Sequence, residues 1–173
     1  MTNELSQWLR PGERVLELGA GTGELGRALN AAGFAVDGLD LWPQPPEWPA
    51  SARWHQADLR TFAHYGDYPV IVGSLIFHQF SAADLATVGQ CCQSARLILA
   101  SEPARWRRAQ IIMSLLGPLF GASYVTKHDA RVSIAAGFLG NELADLLTLE
   151  AQRWSWDCHT GGLGVYRMTA HRR

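Results

Sequence analysis

Over its first hundred residues the chain alternates short apolar runs with amphipathic stretches. The runs sit in VLEL (15–18), FAVDGLD (34–40), RWHQADLRTF (53–62), YPVIVGSLIFHQF (68–80) and ARLILASEPARW (95–106). Each is short enough for a strand, and a continuous apolar run such as 68–80 suits a central parallel strand buried on both faces. Helical patterns fall between them: 2–9, a segment beginning near Glu24, and SAADLATVGQCCQSA (81–95). The last of these opens on Ser81 with Asp84 three positions on, a capping-box-like start with Asp in place of Glu. Such alternation predicts an open α/β fold, a parallel sheet with helices on both faces.

Two features depart from simple alternation. RWSWDCH and LGVYRMTA flank Thr160, Gly161 and Gly162 and read as an antiparallel C-terminal hairpin. Residues 103–149 are longer than a single crossover requires. Helices are expected at 104–116 (ended by Gly117 and Pro118), 129–138 and 141–148, with Gly140 between the last two. Few residues precede the first run, so this helical insertion is the expected lid over a bound substrate. PQPPEWP (43–49) can be neither helix nor inner strand. It is expected beside the ligand, where Trp42 and Trp48 either stack on a base or pack on proline.

The chemistry concentrates in VLELGAGTGELG, residues 15–26. An acid ends the strand, three glycines follow, and a helix begins. Glycine allows the backbone to approach a ligand closely, and the helix directs free N–H groups toward it. Gly21, Gly23 and Gly26 match the dinucleotide pattern G-x-G-x-x-G. Glu17 argues against that ligand, because its charge would face a pyrophosphate. A ligand with a cationic amino acid end and no phosphate suits it better, and S-adenosyl-L-methionine is one. Asp40, about 20 residues past the loop, is placed to accept both ribose hydroxyls. Asp58 follows the third strand and can accept from an adenine amino group.

With these positions in register, the chain resembles the class I S-adenosylmethionine-dependent methyltransferases. Glu17 to Gly23 match that family's E/D-x-G-x-G-x-G loop. Asp40 matches the acid after strand two, and Asp58 with Leu59 matches the adenine-site pair. The resemblance covers residues 10–102 well and the remainder more loosely. It implies a Rossmann-like, seven-stranded, mostly parallel sheet in one domain spanning 1–173. It also implies a cofactor site formed by Glu17, Gly19, Ala20, Gly21, Gly23, Asp40, Leu41, Asp58, Leu59 and Ser74, with S-adenosyl-L-homocysteine as product. VTKHDARVSIAAGF (125–138) is further similar to a segment of short bacterial methyltransferases. That similarity implies a phenolic or quinone-like acceptor, with Lys127, His128 and Arg131 near the site.

Composition narrows the partners. The 173 residues are 47% hydrophobic and 18% charged, as in ordinary globular proteins. A net charge of −1 and a pI near 6.6 give no bulk attraction to nucleic acid or anionic membrane. No apolar run approaches the roughly 18 residues of a membrane span. The opening is polar, without an apolar signal core. Cys91, Cys92 and Cys158 form neither a disulfide framework nor a zinc pattern. No acidic cluster marks a magnesium site. A cytoplasmic protein acting on a small molecule is expected.

Methyl transfer requires little beyond positioning and exclusion of water. A hydroxyl acceptor also gains from a base that titrates near neutrality, which points to histidine. Of the six histidines, His128 (beside Asp129) and His78 (after the fourth strand) are the candidates. Ser74, Leu75, Ile76 and Phe77 stand where adenine amino-methylases carry an Asn/Asp-Pro-Pro-aromatic motif, which disfavours that subclass. The basic run at Arg105, Arg107 and Arg108 reads as a solvated helix face, with contact to an acidic substrate or an RNA backbone as the alternative. Two other classes remain open: a nicotinamide-dependent oxidoreductase, and a non-catalytic partner subunit that keeps the fold.

Overall fold

The computed structural model describes residues 2–105, 136–161 and 164–173. Its elements are α1 (Thr2–Trp8), β1 (Arg14–Leu18), α2 (Glu24–Ala31), β2 (Ala35–Asp40), β3 (Trp54–Gln56), β4 (Val70–Ser74), α3 (Ala82–Cys91), β5 (Leu97–Pro103), α4 (Glu142–Leu146), β6 (Trp154–Thr160) and β7 (Val165–Arg172). Seven strands form one sheet in the order β3-β2-β1-β4-β5-β7-β6. The first five are mutually parallel. β7 runs antiparallel between β5 and β6, so the second strand of the hairpin is interior.

Period-two alternation splits β1, β2, β4 and β5 between two cores. Leu16, Leu18, Leu39, Ile71 and Ile98 point to one face, where they meet Leu85 and Val88 of α3 and Leu143 of α4. Val15, Val36, Val70, Val72 and Leu99 point to the other, under Leu5 of α1 and Leu29 of α2. Burial on both faces is the reason the central strands read as unbroken apolar runs. No helix among the described residues is long and apolar enough to cross a membrane.

A polar network crosses the first core. Asp37 on β2 is fully buried. It accepts from Arg14 Nε at 2.7 Å, the Arg53 amide at 2.7 Å and the Tyr68 hydroxyl at 2.9 Å. Tyr68 in turn meets His55 Nε2 at 2.7 Å. Burial works against the Asp37 charge, but Arg14, the Arg53 amide and Tyr68 outweigh it and hold the carboxyl below its ordinary range.

Several boundaries differ from the sequence reading. The apolar run at 68–80 is a strand only to Ser74. Leu75 takes φ 57°, a left-handed turn that takes the chain out of the sheet, and Phe77–Gln79 form a 3₁₀ turn with Phe77 fully buried. The helix at 81–95 ends at Cys91 and tightens into a 3₁₀ turn, Cys92–Ser94. Its cap is as expected: the Asp84 amide donates to Ser81 Oγ at 3.2 Å, and Ser81 Oγ donates to Asp84 Oδ2 at 2.7 Å. Ala104 and Phe138 form an isolated parallel bridge, so neither belongs to the helices expected at 104–116 and 129–138. The remainder of those two helices, with the lid they were to form, lies outside the described residues. The third, expected at 141–148, is α4.

Candidate functional site

Parallel strands bring their carboxyl ends to one edge of the sheet, so Leu18, Asp40, Gln56 and Ser74 end together. Open α/β sheets bind ligands at this edge, where the strand order reverses beside β1 and β4. The glycine loop starts there. Gly19, Gly21 and Gly23 all have positive φ, at 61°, 53° and 75°. A side chain at any of them would be strained. The loop is fixed by the Gly19 amide on Leu39 O at 2.8 Å and the Gly23 amide on Ala20 O at 2.7 Å.

Asp40 joins this loop to β2. Its Oδ2 accepts from the Gly21 amide at 2.7 Å and its Oδ1 from the Trp42 amide at 2.9 Å. Leu41 and Trp42 follow as exposed apolar side chains. Ala20 is buried within the loop, and Ser74 is half-buried at the end of β4. Leu75 beyond it is strained and exposed, and its amide is held by Ser101 O at 2.9 Å. Strain of this kind concentrates at functional edges.

Glu17 lies beneath the loop, on the α2 side of β1. It is 3% exposed, and its Oε2 has no hydrogen-bond partner. Burial pushes its carboxyl up to about 7; the Gly26 amide pulls the other way, and the Asp40 charge adds to the rise. Gly26 is explained by packing rather than by a dinucleotide. A Cβ there would stand 2.4 Å from Trp48 Cη2. Trp48 is 5% exposed, fills the space left by Gly23, Gly26 and Gly38, and donates its indole N–H to Arg53 O at 3.2 Å. Of the two alternatives left open for Trp48, stacking on a base is set aside: it is a core residue rather than a surface aromatic. Trp42 is exposed beside Asp40.

Asp58 falls after β3 as expected, but its carboxylate is already engaged. Arg60 donates from its amide (2.8 Å), Nε (3.0 and 3.2 Å) and Nη2 (2.6 Å). These bonds pull the Asp58 carboxyl down to about 2. Arg60 Nη1 also reaches Asp84, at the head of α3. The Leu59 side chain belongs to the core, so only its backbone is available to a ligand.

His78 sits in the 3₁₀ turn after β4, with Nδ1 2.6 Å from Glu102 Oε2 at the end of β5. Nothing in the local sequence pattern assigns Glu102 a role. The signal that finds it is the β4–β5 register, Ser74 opposite Ser101, which brings Glu102 beside the turn. His128, Lys127 and Arg131 lie outside the described residues.

No family model and no curated protein matches the chain. Solved structures match in shape. The plantazolicin methyltransferase BpumL, in complex with SAH, aligns with a TM-score of 0.77 and 14% identity, over 99% of this chain and 80% of its own. The magnesium protoporphyrin IX methyltransferase ChlM from Synechocystis, with bound SAH, gives 0.63 and 15%, over 99% and 80%. A TehB-like SAM-dependent methyltransferase from Corynebacterium glutamicum gives 0.63 and 14%, over 99% and 86%. The chain thus has the class I methyltransferase fold, as the sequence implied.

Proposed function

We propose that this chain binds S-adenosyl-L-methionine and transfers its methyl group to a hydroxyl oxygen of a small phenolic or quinone-like molecule. One observation carries the reading: an unpartnered, buried carboxylate oxygen on Glu17 beneath a glycine loop that Asp40 ties to β2. The residues present fit the cofactor. Glu17 offers a negative charge to its ammonium group, the glycines of the loop let the backbone come close to its amino acid end, and Asp40 offers acceptors to the ribose. Asp58 is assigned to the adenine amino group. When bound, the cofactor supplies a methyl carbon already activated by a sulfonium.

The protein's own task is to orient the acceptor, exclude water and take up a proton. His78, at the carboxyl edge, is the described histidine suited to hold that proton. Cys91, Cys92 and Cys158 are free thiols, which fits a reducing compartment such as the cytoplasm.

Calorimetric titration with S-adenosyl-L-homocysteine, with NAD and NADP in parallel, tests the reading. Micromolar binding of S-adenosyl-L-homocysteine alone is expected. Asp40→Ala, if folded, should weaken it about tenfold, on the order of 1.4 kcal/mol. Binding of a nicotinamide cofactor instead would establish an oxidoreductase. No binding to a folded sample would favour a non-catalytic partner subunit.

A further inference from the structure

We infer that Glu102 positions His78 as the general base of an acceptor pocket that takes an uncharged aromatic hydroxyl compound and disfavours anionic ones. The inference rests on the methyl-transfer reading above and deepens it.

Glu102 is 1% exposed. Its Oε1 accepts from the Ile76 and Phe77 amides, both at 2.9 Å. Its Oε2 takes the His78 amide at 3.4 Å and stands 2.6 Å from His78 Nδ1. One carboxylate therefore fixes both the turn that carries the imidazole and the imidazole itself. Among the described residues His78 is its only ion-pair partner. A carboxylate accepts, so the proton belongs on Nδ1 and the lone pair on Nε2. The same turn touches the cofactor loop: a Cβ on Gly19 would stand 2.3 Å from Ile76 Cδ1. Glu102 thus places the base one turn of chain from the loop assigned to the cofactor.

His78 also lines a pocket of about 420 Å³. A cavity of that size holds a small organic ligand. Phe80, Leu85 and Phe138 supply an apolar wall. Among the described lining residues the one Lys or Arg, Arg105, is paired with Glu142, and Asp145 adds a further acid. The charge these described residues leave over is negative, which repels a carboxylate or phosphate on the acceptor. In the reaction the acceptor hydroxyl proton passes to His78 Nε2. The oxygen's electron pair forms the bond to the methyl carbon, and the pair of the broken carbon–sulfur bond stays on sulfur. The imidazolium left behind is stabilised by Glu102.

The first test needs neither cofactor nor acceptor. Long-range ¹⁵N–¹H correlation spectra of the labelled protein should show neutral His78 protonated on Nδ1. A proton on Nε2 overturns the proposal even where S-adenosyl-L-homocysteine binds, whereas failure of that binding overturns the underlying reading. The second test is turnover of catechol against 3,4-dihydroxybenzoate. Catechol should be favoured at least tenfold in kcat/KM, as roughly one unit of charge repulsion allows. Glu102→Gln should lower kcat about a hundredfold and leave KM and S-adenosyl-L-homocysteine affinity unchanged, with Glu102→Asp recovering part of the loss. A reversed preference sinks the specificity claim. No turnover of either compound by a protein that binds S-adenosyl-L-homocysteine sinks the hydroxyl acceptor. Parallel loss of affinity and kcat reduces Glu102 to a structural role.

Discussion

Gly26 on α2 faces Glu17 on β1 so closely that a Cβ on the glycine would stand 2.5 Å from Glu17 Oε2. The third glycine of an apparent dinucleotide pattern is thus the place where a helix rests on a buried acid and on Trp48. Gly26→Ala adds a methyl group to filled space. Overpacking costs about 1–3 kcal/mol, and the better helix propensity of alanine returns about 1 kcal/mol. The mid-range net loss of about 1 kcal/mol should lower Tm by about 2–4 °C. A thermal melt with Tm unchanged or raised would show that Trp48 has room to move.

Glu17→Gln should make the protein more stable at pH 8 and change little at pH 5. The wild-type carboxyl is pushed up to about 7 in the fold, against an ordinary value of 4.5. Between those values the unfolded chain releases the proton while the folded one retains it, so wild-type stability falls as pH rises through the window. The shift corresponds to roughly 3 kcal/mol at most. Glutamine carries no such charge and escapes the loss. It also removes the charge offered to the cofactor ammonium, so S-adenosyl-L-homocysteine affinity should fall while stability rises. Urea midpoints at the two pH values decide the matter; a variant less stable than wild type at pH 8 contradicts the argument.

The parts of the site legible in the sequence are those set by local spacing. Glu17, Gly19, Gly21 and Gly23 occupy one strand–turn–helix unit, and Asp40 ends the next strand. Their relative places follow from chain connectivity and the handedness of a parallel crossover. Glu102 and His78 lie 24 positions apart, and only the β4–β5 register joins them. Trp48 was ambiguous for a related reason. Its pocket is made by glycines on two elements, Gly23 and Gly26 at the head of α2 and Gly38 on β2, and no local pattern reveals space that tertiary packing creates. The extent of β4 misled because Phe77 is as apolar as a strand residue but is buried by folding back after Leu75.

Arg14→Met should destabilise the fold by about 3 kcal/mol, because it strands the fully buried Asp37 carboxylate. The loss should shrink in acid. The folded Asp37 carboxyl is held below its ordinary 3.8, so the stability it contributes is present above that value and disappears as pH falls through the folded one. Denaturant curves of both proteins at pH 7 and pH 3 measure the effect. A difference that is equal at the two pH values would mean that Arg14 acts through packing and not through the Asp37 charge.

Arg60 competes for the carboxylate assigned to adenine. A carboxylate has about four acceptor positions, and the Arg60 amide and guanidinium direct donors at most of those on Asp58. An adenine amino group must displace one of them or accept a poor angle. Arg60→Met retains the apolar stem and the backbone amide and removes the competing guanidinium donors, so it should tighten S-adenosyl-L-homocysteine binding a few-fold. The gain must depend on the amino group. S-inosyl-L-homocysteine carries an oxygen in its place and presents an acceptor to the Asp58 carboxylate, so its affinity should not improve. Calorimetry of both ligands on both proteins separates the cases. Weaker binding of S-adenosyl-L-homocysteine would mean that Arg60 holds Asp58 in its productive orientation rather than competing for it. Equal gains for the two ligands would mean that the adenine amino group is not read by Asp58.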